Sequence, residues 1–135
     1  MIDDKLISQI QQALSKEPKI KLAYVLGSTV SGRVKTDSDF DLAVVTDDKA
    51  QVSYDQIYQL ISGLSFPKDL DLSIVDKNSS PLFLFQITST GECVYQKSDT
   101  EGIAFEAYAM KNYYDTAHLR SIYSSYLKER FPYAH

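Results

Sequence analysis

Two aspartates at positions i and i+2, Asp39 and Asp41, open an apolar run, Asp39-Phe40-Asp41-Leu42-Ala43-Val44-Val45, that otherwise reads as a buried strand. Aspartate is among the residues least favoured in strands, so a pair of them there calls for an explanation. Side chains alternate across a strand, so both carboxylates project from one face, about 7 Å apart along the backbone. That spacing suits a divalent cation, or a pair of them. Ten residues separate Asp39 from Gly27-Ser28, which follows a second apolar run, Leu22-Ala23-Tyr24-Val25-Leu26. Gly27 permits backbone conformations and a close approach closed to other residues. Ser28 adds a hydroxyl and an amide at the start of a short helix expected over 29–33, where free N–H groups and the helix dipole favour anions. Alone, a Gly-Ser pair reads as a helix cap; with the carboxylate pair beyond it, it reads as a phosphate-holding turn.

The elements that must position these residues follow from periodicity. Asp3 or Asp4 caps a first helix with Leu6, Ile7, Ile10 and Leu14 on one stripe, stopped by Pro18. Strands are expected over 20–26 and 39–46, with a turn at Asp47-Asp48-Lys49. Ser53 caps a helix over 54–64 whose stripe is Tyr54, Ile57, Tyr58 and Ile61. A third strand over 69–75 sets Asp69, Asp71 and Ser73 on one face against Leu70, Leu72 and Ile74. Ser80-Pro81 starts a helix to about residue 88 that stops at Gly91. A short strand covers 92–96. Ser98 to Glu101 fits a capping box and opens a helical stretch to about residue 129, broken near Asp115-Thr116. Helices alternating with strands make the chain α/β or α+β, a mixed central sheet flanked by helices with a long C-terminal helical stretch.

Gly-Ser followed after ten residues by Asp-x-Asp resembles the signature of the polymerase-beta-like nucleotidyltransferases. The small size points within them to the minimal nucleotidyltransferases, which act as antitoxins beside HEPN-domain toxins. The match covers roughly residues 20–76. This resemblance implies the nucleotidyltransferase fold and the transfer of AMP from ATP, with Mg2+, two ions per site, held by Asp39, Asp41 and a third carboxylate on the neighbouring strand. Family members carry that third aspartate just before an apolar run, which favours Asp71 over Asp69. In the family's pattern arginine often precedes the glycine found here as Gly32, whereas this chain has Ser31; Arg33 or Lys35 then takes the phosphate contact. The implied acceptor is a tyrosine of a HEPN ribonuclease toxin, with which the chain forms a hetero-oligomer. Two other readings stay open, a non-enzymatic module that neutralises its partner by binding and a small-molecule adenylyltransferase of the aminoglycoside-modifying kind.

Bulk properties bound the rest. At 135 residues the chain is read as one domain, with a core over about 20–96 and a helical region over about 98–130. Hydrophobic residues at 44% and charged residues at 24% are an ordinary globular balance and argue against disorder. A net charge of −4 lacks the basic footprint of a nucleic-acid binder, so no direct nucleic-acid partner is expected. The start Met1-Ile2-Asp3-Asp4-Lys5 lacks the basic, apolar pattern of a secretory signal, and no run reaches spanning length; a cytoplasmic protein with no membrane association is expected. Cys93 reads as a buried structural thiol. His118 and His135 have no partner visible in the sequence. Tyr108, Tyr113, Tyr114, Tyr123, Tyr126 and Tyr133 crowd the last thirty residues or so; helix packing and a partner-binding surface both account for them.

Overall fold

Strand β2, Phe40–Thr46, has no exposed residue, which is why its sequence is apolar without alternation after Asp41. It lies inside a four-stranded sheet of order β3-β2-β1-β4, with β1 at Ile20–Val25, β3 at Leu70–Val75 and β4 at Glu92–Gln96. β1 runs antiparallel to both β2 and β4, and β2 pairs in parallel with β3. The computed structural model describes residues 2–26, 40–67 and 69–132. The helix expected over 29–33 lies outside them.

Each face of the sheet carries its own helices. Helix α1, Asp4–Leu14, places Leu6, Ile10 and Leu14 on one face, and α2, Tyr54–Ile61, adds Ile57 and Ile61. They pack against Phe40, Leu42, Val44 and Leu72, so the even-numbered residues of β2 and β3 point to this layer. The opposite face receives Leu84 and Ile87 from α3, Pro81–Thr90, and Phe105 and Ala109 from α4, Asp99–Asp115. These meet Leu22, Tyr24, Ala43, Val45 and Val75. Burying each such large apolar side chain contributes about 1.5–3 kcal/mol. A last helix, α5, Ala117–Arg130, follows Thr116 and contains no buried residue.

Local signals account for most boundaries. Asp3 is the α1 cap, its carboxylate accepting from Lys5 N at 3.1 Å. Asp48 caps a single 3-10 turn at Lys49–Gln51, where only a turn was expected. Gly91 ends α3 for want of space: a Cβ there would stand 2.4 Å from Ile87 O and 3.2 Å from Val25 O. Thr116 interrupts the C-terminal helices where a break was expected.

Ser80 precedes α3 at its cap position with Pro81 first in the helix, as expected, and makes no side-chain cap bond. Three expectations are corrected. The capping box at Ser98 does not form: Ser98 makes no side-chain cap bond and its hydroxyl lies 3.1 Å from Thr100 Oγ1. Tyr54 and Tyr58 leave the core stripe of α2 and stack on each other in solvent, 6.0 Å between ring centroids, because Ile57 and Ile61 already fill the space over the sheet. Cys93 is exposed rather than buried, since β4 is an edge strand and the side of Cys93 is only partly covered by α4.

Candidate active site

The parallel register of β2 and β3 sets Asp41 directly beside Asp71, with Phe40 opposite Leu70 and Leu42 opposite Leu72. Adjacent strands lie about 4.8 Å apart, so two residues in register on one face bring their carboxyl groups within reach of one cation. Both point away from the α1 and α2 layer, because their neighbours Phe40, Leu42 and Leu72 fill it. On the other face Ala43, Val45 and Val75 are covered by α3 and α4. That cover stops short of the strand starts: Asp41 is half-buried and Asp71 is exposed. Among the described residues, the pair therefore sits at an end of the sheet face that α3 and α4 leave uncovered.

The third side of this end is β1. Leu26 N donates to Asp41 O at 2.9 Å, carrying the chain from β1 past Asp41 towards Gly27. Leu26 is half-buried against the α3 and α4 layer. Leu26 and Phe40, the described residues on either side of segment 27–39, thus both lie beside Asp41. Gly27, Ser28, Arg33 and Asp39, the expected phosphate and metal residues of that segment, lie outside the described residues.

Asp69, the alternative third carboxylate, is exposed and precedes β3. Its carbonyl accepts from Phe40 N at 2.7 Å, so its backbone continues the ladder one step beyond the Asp41 and Asp71 pair. Asp71, and not Asp69, is the register partner of Asp41. Among the described residues no group of three or more His, Cys, Asp and Glu is gathered for a metal. Two carboxylates in register are a fitting hard-oxygen donor set for magnesium, which is held by one or two carboxylates together with substrate phosphates.

The far end of β3 is anchored by a third aspartate that sequence reading passed over. Asp76 is 3% exposed, and its carboxylate accepts from Lys49 N at 2.9 Å and Asn78 N at 2.8 Å. Ser79 Oγ accepts from Asp76 N at 3.1 Å. The amide of Lys49 foremost, with that of Asn78, holds this carboxyl below its ordinary value against the opposing effect of burial. The Asp-x-x-Ser spacing after an apolar strand is the local signal for such a turn. Its effect is to tie β3, and with it Asp71, to the 3-10 turn after β2. On the covered face, Tyr24 donates to Glu106 Oε1 at 3.2 Å, and burial, with Cys93 and Glu106 nearby, raises its hydroxyl far above the ordinary value.

Of the C-terminal tyrosines, Tyr108 and Tyr113 pack: Tyr108 donates to Lys77 O at 2.9 Å, and Tyr113 stacks on Phe85 with centroids 4.0 Å apart. Tyr114, Tyr123 and Tyr126 are exposed. Tyr133 lies outside the described residues. No helix among those residues is long and apolar enough to cross a membrane.

The family model described as polymerase beta, nucleotidyltransferase matches residues 8–100. No curated protein matches the chain. Solved structures share its fold. A chain from a toxin-antitoxin with AMP-PNP is 22% identical, with 90% of this chain and 98% of that chain covered and a TM-score of 0.68. A chain of the toxin-antitoxin MntA-HepT is 21% identical over 93% of this chain and 99% of that chain, at a TM-score of 0.65. A chain from the complex of tri-AMPylated Shewanella oneidensis HEPN toxin with MNT antitoxin gives the same identity, coverage and TM-score.

Proposed function

The chain belongs to the polymerase beta nucleotidyltransferase family, and from that premise we propose that it is a magnesium-dependent adenylyltransferase and antitoxin, moving AMP from ATP to a tyrosine hydroxyl of a HEPN toxin in the cytoplasm. The observation that carries the reading is the register of Asp41 with Asp71 at the uncovered end of the sheet. Partners of the structural neighbours support the acceptor: one is a complex with an AMPylated HEPN toxin and another contains AMP-PNP.

In this reading Asp39, Asp41 and Asp71 would hold Mg2+, which would supply charge neutralisation for the triphosphate and lower the pKa of the acceptor hydroxyl. Gly27, Ser28 and Arg33 would hold the phosphates. Asp71, the exposed member of the pair, faces the acceptor side. It orients the tyrosine hydroxyl and takes its proton as the oxygen attacks the α-phosphorus. The bond from that phosphorus to the β-phosphate oxygen breaks, and pyrophosphate leaves. The protein's part is positioning and electrostatics, which rigid strand ends provide better than loops.

The test is to incubate the chain with Mg2+, ATP and a HEPN-domain toxin, then locate added nucleotide by mass spectrometry. AMP on a partner tyrosine, with none from an Asp41→Asn/Asp71→Asn variant, is the expected result. A partner that stays unmodified yet is neutralised by that variant sinks the transferase account in favour of neutralisation by binding.

A further inference from the structure

Helix α5 spends fourteen residues without burying one, yet it is not a polar helix. Leu119, Ile122, Tyr123 and Tyr126 recur at i, i+3, i+4 and i+7, the spacing of one helical stripe. They are 65%, 53%, 64% and 53% exposed. The stripe is continued by Pro81 and Leu82 of α3, which with Leu119, Ile122 and Tyr123 border a groove of about 640 Å³. Apolar side chains so aligned gain nothing from the fold that displays them.

The first turn of the helix is also tied in that pose. The Arg120 guanidinium lies over the Tyr113 ring, 4.0 Å from its centroid, and donates to Tyr113 O at 2.7 Å and to Thr116 Oγ1. Tyr113 in turn stacks on Phe85 of α3. Three aromatic and cationic layers thus clamp the α4 to α5 junction against α3. A preorganised face costs less to bind than one that must order on contact.

We propose that α5 is the docking surface for the protein that receives the nucleotide, and that its groove takes an amphipathic helix flanked by acidic residues. This rests on the transferase reading above and adds where the acceptor protein is gripped. Charge selects the occupant. α5 carries Arg120, Lys128 and Arg130 against one carboxylate, Glu129, in a chain whose net charge is −4. A second copy of α5 would bring its own cations against these, whereas an acidic-flanked helix complements them. Geometry selects a macromolecule: the groove adjoins the start of α3, which follows β3, whereas Asp71 lies near the opposite end of that strand, about 13 Å back from Val75. Only a folded partner can sit in the groove and also reach the carboxylates, and holding it there raises the local concentration of its acceptor hydroxyl.

The test uses Leu119→Glu/Ile122→Glu, which removes no buried side chain, with a HEPN-domain toxin as probe. Expected are affinity lower by about 100-fold, a KM for that protein raised in proportion, and an unchanged kcat at saturation and unchanged Mg2+-ATP affinity. Lys128→Glu/Arg130→Glu should slow association by about 10-fold at low salt. Affinity within about threefold of the parent in the first variant overturns the proposal, as does a parent that forms no complex with the probe. A parent dimer that the first variant splits, seen by light scattering, makes a second copy the occupant and overturns it too. The two readings fail separately. Binding lost in the variant while the parent transfers no AMP leaves docking standing and transfer refuted; AMP transfer with undiminished binding does the reverse.

Discussion

Replacing Asp76 by asparagine tests whether the turn that anchors β3 depends on a charged acceptor. The wild-type carboxylate takes two backbone N–H bonds, from Lys49 at 2.9 Å and Asn78 at 2.8 Å, on opposite oxygens. Asparagine keeps one carbonyl oxygen and turns an NH2 towards the other amide, leaving a buried donor without an acceptor. An unpaired donor of this kind costs about 1–3 kcal/mol, which for a domain of this size lowers Tm by about 5–10 °C. The pH dependence has a definite sign. Because the folded carboxyl titrates below its ordinary value of 3.8, its stabilisation is fully present above the unfolded pKa and is lost as pH falls through the folded one. Protonated Asp76 resembles asparagine, so the Tm gap between wild type and variant should be full at pH 7 and close as pH drops below about 4. Thermal melts of both proteins across that range are the assay. A gap that persists unchanged in acid, or no gap at pH 7, refutes the account of a charge-assisted turn.

Asp41→Asn or Asp71→Asn should reduce AMP transfer by more than about 100-fold while leaving Tm near the parent value, because neither substitution opens the core; a variant that loses activity only by unfolding would fail in the melt. Triphosphate affinity should collapse in chelator, since the site's carboxylates repel a nucleotide bearing about four negative charges; calorimetric titration of ATP with and without Mg2+ reads this, and equal affinity places the nucleotide elsewhere. Gly91→Ala should cost about 1–3 kcal/mol, because its Cβ meets backbone oxygens of Ile87 and Val25 that cannot move aside as a side chain would; a denaturant midpoint equal to wild type would show that α3 shifts freely on the sheet.

Most elements were legible from residue order because their signals are local. Period-3.6 stripes found α1, the capping serine and Ile57 with Ile61 found α2, and the serine-proline start found α3 to within two residues at its end. The break at Thr116 was visible for the same reason. The Asp-x-Asp strand was identifiable because aspartate at the head of an apolar run conflicts with its own propensity, and such conflicts gather at functional sites. What failed was anything set by neighbours distant in sequence. Tyr54 and Tyr58 share a helical stripe with Ile57 and Ile61, but only the three-dimensional width of the sheet decides which of the four it covers. Cys93 looks like a core thiol until β4 proves to be an edge strand.

Sequence alone therefore marked the candidates, namely Gly27 with Ser28, Asp39 with Asp41, and an aspartate on a later strand, by residue type, spacing and resemblance; of these the structure describes Asp41, Asp69 and Asp71. Alternation does not separate Asp69 from Asp71, since both lie on one face of one strand, and only the resemblance favoured Asp71. Tertiary structure supplied the register. β2 and β3 pair in parallel across a connection that contains α2, so no turn geometry ties their offset to the sequence between them. The offset is set by how Phe40, Leu42 and Leu72 fill the layer under α1 and α2, and that packing brings Asp41 beside Asp71. It also decided that α5 stands clear of the core, because α3 and α4 already close the second face and, among the described residues, leave its apolar stripe uncovered.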